Sequence, residues 1–201
     1  FVVGTKTGAV TLWNGTTHQR TQSFLPTHIS PVTRIAIDAA GTFVVSGHAD
    51  GVVKLWKSSR GEPVRQWTLG APISAVAFGR DSSKVLAAAE NGDLQVWRIT
   101  DGARVFRVSG VSGANPRLHL TAEDVLTIGD GQGHIARWTL SHGARAVEER
   151  RIGSGFPQVA AYSRDLQLYA GQTSGNNPYV TNVATGNFLH GDNLVGPAMN
   201  I

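Results

Sequence analysis

Four tryptophans recur at nearly constant spacing along the chain. Trp13, Trp56, Trp97 and Trp138 are separated by 43, 41 and 41 residues. A glycine stands five residues before each of them, in the segments GAVTLW, GVVKLW, GDLQVW and GHIARW. A fifth copy, GNNPYV, puts Gly175 and Val180 in the glycine and tryptophan places. Self-similarity at a fixed period is the mark of repeat architectures, and it constrains the fold more than any other feature of this sequence.

Each copy has the same internal order of short apolar segments. An alternating stretch such as VTRIAID (32–38) or ISAVAFG (73–79) comes first, and a second short run such as FVVSG (43–47) follows. A glycine turn leads into the tryptophan segment, and a fourth segment such as PVRQWTL (63–69) closes the copy. Runs of five to seven residues bounded by Gly, Asp, Asn and Ser predict antiparallel hairpins. The pairs Asp50-Gly51 and Asn91-Gly92 are turn sequences, because these residues tolerate positive φ.

Four-stranded units repeated near 41 residues predict an all-β β-propeller. One such sheet cannot bury both of its faces alone, whereas stacked blades cover one another. The predicted units are residues 1–27, 28–69, 70–110, 111–151 and 152–192, with the start of another at 193–201, all within one propeller region, 1–201. About five blades are therefore present. Five blades could close a ring, but we expect this segment to be part of a longer protein, for example a seven-bladed one.

The best copy, HISPVTRIAIDAAGTFVVSGHADGVVKLW, runs from His28 to Trp56 and resembles the WD40 repeat family. It shows a His, a Val four residues later, a Ser-Gly, an Asp and a Leu-Trp in the family's order. It departs from the family at Thr27, where a glycine is usual, and at Lys57, where an Asp often follows the tryptophan. The resemblance extends over essentially the whole chain through the repeated spacing.

The resemblance implies a hydrogen-bonded structural tetrad of His28, Ser46, Asp50 and Trp56. Such a network is physically sensible, since an indole only donates and buried polar groups require partners. Ser46, His48 and Asp50 have the residue types of a hydrolase triad, but we interpret this stretch as scaffold and His48 as a turn residue. The other units have lost the network, so their stability is expected to depend more on apolar packing.

No catalytic, cofactor-binding or metal-binding arrangement is predicted. There is no Gly-x-Ser-x-Gly elbow and no His-Glu-x-x-His motif. The glycine-rich GDGQGH (129–134) precedes a strand and not a helix, which is the wrong context for a phosphate cradle. Cysteine is absent, which removes disulfides and thiolate chemistry without fixing the compartment; the cytoplasm is favoured. Asn14-Gly15-Thr16 is a glycosylation sequon that matters only in a secreted protein.

Other proteins are the expected partners. The formal net charge is +4, but the basic residues are scattered, so nucleic-acid binding has no specific support. No apolar run is long enough for membrane insertion, and the first residues, FVVGTKTG, do not have the pattern of a signal peptide.

By analogy with the family, partners dock where the loops before the first strands and the second-to-third turns meet. The positions this implies are Lys6, Pro31, Thr33, Ala49, Pro72, Ser74, Glu90, Asn115, Gln158 and Thr173, with Gly131 and Met199 as further guesses. They include no aromatic cluster of the kind that anchors many interfaces, and they could equally be ordinary exposed loops.

Three functions fit these observations. The first is a non-catalytic protein-interaction scaffold within a larger assembly. The second is a nucleic-acid-associated subunit, and the third is a regulatory or sensor propeller fused to an enzyme outside this segment. We rank them in that order.

Overall fold

The computed structural model describes residues 1–24, 29–61, 63–111, 116–129, 134–140, 145–151, 161–162, 168–172, 178–182 and 188–190. These residues contain no α-helix. Their nineteen strands are β1 (Val2–Gly4), β2 (Val10–Trp13), β3 (Arg20–Phe24), β4 (Val32–Ile37), β5 (Phe43–His48), β6 (Val52–Lys57), β7 (Pro63–Thr68), β8 (Ile73–Phe78), β9 (Lys84–Ala89), β10 (Leu94–Arg98), β11 (Arg104–Val108), β12 (Arg117–Leu120), β13 (Val125–Gly129), β14 (His134–Thr139), β15 (Arg145–Arg151), β16 (Ala161–Tyr162), β17 (Leu168–Gln172), β18 (Pro178–Asn182) and β19 (Phe188–His190).

The strands form five antiparallel sheets in which chain neighbours are also spatial neighbours. β1–β3 make a three-stranded sheet, and β4–β7, β8–β11, β12–β15 and β16–β19 make four-stranded ones. The predicted all-β blades are confirmed. The chain divides into two compact units, the first comprising residues 1–112 and 120–124, the second residues 113–119 and 125–201.

The glycine turns between the second and third strands have the predicted conformation. Gly51 and Gly92 have φ of 83° and 80°, a region that side chains with a Cβ rarely adopt. Their N–H groups donate to the carbonyl oxygens of His48 and Ala89, at 3.1 and 3.0 Å. The short hairpins of the tryptophan strands therefore follow from local sequence.

A β-bulge recurs at the tryptophan position in four sheets. The pairing with the last strand of the sheet shifts register at Trp13, Trp56, Trp97 and Trp138, so that one residue of that last strand is skipped there. An extra residue bends the strand and increases its twist. The sequence repeat is thus also a repeat of backbone geometry.

In the first unit the sheets pack through their inner strands, β1 against β4 and β4 against β8. Glycines permit the close approach. A Cβ on Gly4 would lie 2.8 Å from Cβ of Val32, and one on Gly47 would lie 2.8 Å from Cβ of Ile73. β1 thus occupies the place in its sheet that β5 occupies in the next.

Aromatic pairs join the outer halves of these sheets. Phe24 of β3 packs on Trp56 of the next sheet, with ring centroids 5.3 Å apart, and both side chains are buried. In the same way, the ring of Trp67 in β7 packs on that of Trp97 in the following sheet, and Trp97 is also buried. Ring contacts of this kind contribute beyond the area that they bury.

Candidate functional site

The loop before the first strand and the second-to-third turn are tied together in two successive sheets. The carbonyl oxygen of Pro31 accepts from the N–H of Ala49 at 2.9 Å, and that of Pro72 accepts from the N–H of Glu90 at 2.8 Å. The β1–β2 turn joins the same end, because Val32 N donates to the carbonyl of Thr5 at 3.0 Å. We call this end of the first unit the loop face. It comprises residues 5–8, 29–31, 49–51, 71–72 and 90–92.

The predicted partner residues differ in accessibility. Lys6, Pro31 and Glu90 are exposed, whereas Ala49 and Pro72 are half-buried. Asn115, Gln158, Thr173, Gly131 and Met199 lie outside the described residues. Ile29, which is not among the predicted partner residues, lies at the loop face and is 90% exposed. Its only sequence signal was an apolar residue in a loop.

Thr33 and Ser74 point their hydroxyl groups into the molecule. Both are the extra residue of a β-bulge at the start of a first strand. The Thr33 hydroxyl donates to the carbonyl oxygens of Gly47, at 3.1 Å, and of Ile73, at 2.7 Å. The Ser74 hydroxyl donates to Ala88 O at 3.2 Å. These groups fasten strands and sheets together, so we take them as supports of the loop face.

A buried chain of hydrogen bonds crosses the second sheet. The indole Nε1 of Trp56 donates to Ser46 Oγ at 2.9 Å, and Ser46 Oγ lies 3.0 Å from His48 Nε2. His48 Nδ1 lies 3.2 Å from the carbonyl oxygen of Ser30. A carbonyl only accepts, so Nδ1 carries the proton, and in the neutral ring Nε2 accepts from the Ser46 hydroxyl.

The interpretation of His48 as a turn residue is wrong. His48 ends β5, and its side chain is fully buried. Side chains two positions apart on a strand share a face, so Ser46 and His48 meet. His28, the predicted tetrad histidine, lies outside the described residues. Asp50 is exposed in the turn, where its Oδ1 accepts from Val52 N at 3.2 Å and its N–H donates to Ser30 Oγ at 3.2 Å. The tetrad as a whole stays a prediction.

Ser46 and His48 have the contact of a nucleophile and its base but not the setting. Both side chains are 0% exposed, so no substrate can reach Ser46 Oγ. The second histidine nitrogen faces a backbone carbonyl, and not a carboxylate that would stabilise an imidazolium ion. The pair is therefore a structural element of the blade.

The third sheet carries a polar cluster that the sequence analysis did not foresee. Asp93 is buried; its Oδ2 accepts from Gln95 Nε2 and its Oδ1 from Arg107 Nε, each at 2.8 Å. Gln95 Oε1 accepts in turn from Arg104 Nη1 at 3.3 Å. The expectation that this unit depends more on apolar packing stays a prediction; the unit also contains this different set of paired polar residues.

Burial and pairing shift the pKa values of two charged side chains in these sheets. Burial lowers the pKa of Lys54, which is 1% exposed, and the nearby carboxylate of Asp50 partly offsets this. The Lys54 ammonium lies 5.7 Å from the ring centroid of Trp56. The hydrogen bond to Asp93 raises the pKa of Arg107. The first effect belongs to the interior of a blade, whereas Arg107 is an exposed residue.

Within the described ranges, no group of three His, Asp or Glu side chains could hold a metal ion. The glycine-rich segment 130–133 is not among those residues. The strands on either side of it, β13 and β14, pair antiparallel, with Gly129 opposite Ile135. In the part of the chain that is described, no helix has the length and apolar character to cross a membrane.

Residues 19–57 match the family model described as "WD domain, G-beta repeat". This stretch is a WD40 repeat. The match contains β4, β5 and β6 with the Trp56–Ser46–His48 chain. It also includes the loop-face residues of the second sheet.

Several curated proteins are similar to this chain. The chain is 32% identical over 104 residues to eukaryotic translation initiation factor 3 subunit I of Debaryomyces hansenii, covering 52% of this chain and 28% of that protein. It is 22% identical over 199 residues to the protein of the same name in Saccharomyces cerevisiae, covering 90% and 57%. A ribosome biogenesis protein BOP1 homolog of Oryza sativa is 28% identical over 68 residues, covering 33% and 10%. This chain spans little more than half the length of the Saccharomyces cerevisiae protein and less than half the length of the other two.

Among solved structures, the computationally designed Ika8 protein superimposes with a TM-score of 0.68 at 22% identity, covering 94% of this chain and 57% of that one. This likeness shows the fold alone.

Proposed function

We propose that this WD40-repeat segment is a non-catalytic scaffold that binds another protein through its loop face, as a subunit of a larger assembly. The observation that carries the proposal is the pair of backbone hydrogen bonds Pro31 O–Ala49 N and Pro72 O–Glu90 N. They hold equivalent loops of adjacent blades at one end of the sheets. A preorganised surface loses little conformational freedom when a partner binds.

Side-chain chemistry on this face suits a protein partner. Lys6 and Glu90 offer opposite charges, and Ile29 offers an exposed apolar group between them in chain order. By contrast, several arginines of the first unit already have internal partners. Arg34 donates to Ser74 O, Arg65 to Thr100 O, and Arg107 to Asp93. The Asp93 carboxylate neutralises Arg107, and backbone carbonyl oxygens hold the other two guanidinium groups; this favours the scaffold over the nucleic-acid-associated subunit.

The relatives' names support an assembly subunit. Two of them are called subunits of a translation initiation factor. We extend to this chain only the role of a subunit, located in the cytoplasm, and we propose that residues 1–201 form one propeller region with the unit boundaries given above. Identifying the proteins that bind to it would show which assembly it belongs to.

Matched charge reversals test the face. Lys6→Glu and Glu90→Lys alter the loop face, whereas Arg60→Glu alters an exposed residue in the turn between β6 and β7, at the opposite end of its sheet. The full chain and each variant are used as bait in an extract of the source cells, with salt-washed proteins quantified by mass spectrometry. We expect Lys6→Glu or Glu90→Lys to lose a defined protein that Arg60→Glu retains. The nucleic-acid alternative would be favoured if the bait captured RNA or DNA in place of a protein. Salt should then release the nucleic acid, and Arg60→Glu but not Lys6→Glu should weaken its capture.

A further inference from the structure

The sequence contains two Asn-Gly pairs, Asn14–Gly15 and Asn91–Gly92. In such a pair the backbone nitrogen of glycine can attack the side-chain amide carbon of asparagine. The glycine has no Cβ to obstruct the approach. Whether the attack occurs in a folded chain depends on two features: whether the nitrogen is free, and whether the developing charge on the amide oxygen is stabilised.

Both features are favourable at Asn14. Its side chain is exposed in the β2–β3 turn, and its Oδ1 accepts from the N–H groups of Thr16, at 2.8 Å, and Thr17, at 2.9 Å. These donors lie on the oxygen that becomes negatively charged when a nucleophile adds to Cγ, which is the arrangement of an oxyanion hole. Among the described residues nothing accepts a hydrogen bond from Gly15 N–H, and there is open space around its Cα.

Asn91 provides the internal contrast. Its Oδ1 accepts one bond, from Asp93 N at 3.0 Å. The nucleophile is engaged, because the N–H of Gly92 donates to Ala89 O at 3.0 Å, and Gly92 is buried at φ 80°. A second bond, from Ala89 N to Asp93 O at 2.8 Å, closes the same turn. Attack by Gly92 would require this turn to open.

We propose that Asn14 is a site of non-enzymatic deamidation in the folded protein and that Asn91 is protected. A bond forms between Gly15 N and Asn14 Cγ, while the Cγ–Nδ2 bond breaks and ammonia leaves with the proton of the Gly15 amide. Water then opens the succinimide at either carbonyl, giving aspartate or isoaspartate without any change of oxidation state. The product lowers the formal net charge of +4 by one. Isoaspartate also adds a methylene to the backbone, which displaces the oxygen that caps Thr16 and Thr17.

The test compares the two sites within one molecule. The folded chain is held at mildly alkaline pH, sampled over time and digested with trypsin, which places Asn14 in peptide 7–20 and Asn91 in peptide 85–98, each with a single asparagine. Mass spectrometry and chromatographic separation of isoaspartyl peptides give both rates. We expect Asn14 to react at least about tenfold faster, since the engaged N–H of Gly92 must first lose its bond. In urea-denatured chain the rates should become comparable.

The variant Gly15→Ala tests whether the glycine after Asn14, and not other neighbouring residues, determines the rate of deamidation. Gly15→Ala fits the open space at that turn and should slow deamidation of Asn14 without lowering stability. Equal rates at the two sites of the folded chain, a faster Asn91, or no conversion of Asn14 would each overturn the proposal.

Discussion

The indole ring of Trp67 stacks on that of Trp97 with their centroids 4.8 Å apart and their planes 17° from parallel. The first ring belongs to the outer strand of one sheet and the second to the tryptophan strand of the next. Trp67 Nε1 also donates to Gly102 O at 3.0 Å, in the turn that follows the Trp97 strand. One side chain therefore joins two blades by both stacking and a hydrogen bond.

Trp67→Ala should lower the free energy of unfolding by about 2–4 kcal/mol, because it removes a large aromatic contact between sheets. Trp67→Phe, which keeps a ring but loses the donor to Gly102, should cost about 1 kcal/mol. Urea titration followed by circular dichroism measures both. Thr68→Ala, at the exposed neighbouring position, is the control, and a Trp67→Ala loss no larger than this control would refute the role assigned to the stack.

Gly47→Ala should destabilise the chain by about 1–3 kcal/mol, since the new Cβ would enter the space of Ile73. The matched change Gly15→Ala meets open space and should be neutral. A double-mutant cycle with Ile73→Ala sharpens the test. The losses should be less than additive, because Ile73→Ala removes Cγ2, the atom nearest to the new methyl group, while the contact with Cβ of residue 73 remains. Strict additivity would show that close approach of the sheets does not require this glycine.

Ser46→Ala should cost about 1–3 kcal/mol, because it leaves the Trp56 indole N–H and His48 Nε2 without their shared partner. If the predicted tetrad forms, Asp50→Ala should lower the free energy of unfolding by a similar amount. Thermal and urea unfolding measure both. His28→Ala separates the histidines: a loss that is coupled to Ser46→Ala supports the predicted tetrad, and no measurable loss would leave His48 as the histidine of the network.

Stability should rise as pH increases toward 10.5, the ordinary lysine pKa, through the titration of Lys54. Burial lowers its pKa in the folded chain, so within the window between the two values the unfolded chain binds more protons, and deprotonation favours folding. Subtracting the pH profile of Lys54→Met isolates this residue. The exposed Lys57→Met is the control, and a difference profile that is flat, or that falls with pH, contradicts the assignment.

The sequence predicted those parts of the fold that depend on neighbours along the chain. Strand alternation, glycine turns and the tryptophan period are local, and they located the hairpins around Gly51 and Gly92 correctly. Contacts between sheets were not predictable in this way. The pairing of Trp67 with Trp97 depends on how one blade lies on the next, which no short segment specifies.

His48 shows where a local signal was available but read wrongly. The segment Ser-Gly-His contains two polar residues two positions apart, the spacing that puts side chains on one face of a strand. A histidine before Ala-Asp-Gly is typical of a turn, but the strand continues to His48. Among the partner residues, the exposure of Lys6 and Glu90 followed from their place in turns. The internal bonds of Thr33 depend on a β-bulge that the sequence did not reveal.

Site-specific photo-crosslinking tests the proposed scaffold function most directly. A photoreactive amino acid is placed at Glu90 on the loop face or at Arg60 in the β6–β7 turn, both exposed, and the full chain is irradiated in cells. We predict that position 90 crosslinks to a defined protein, that Lys6→Glu abolishes this adduct, and that position 60 does not form it. Identical adducts from both positions, or none from position 90, would contradict a partner-binding loop face.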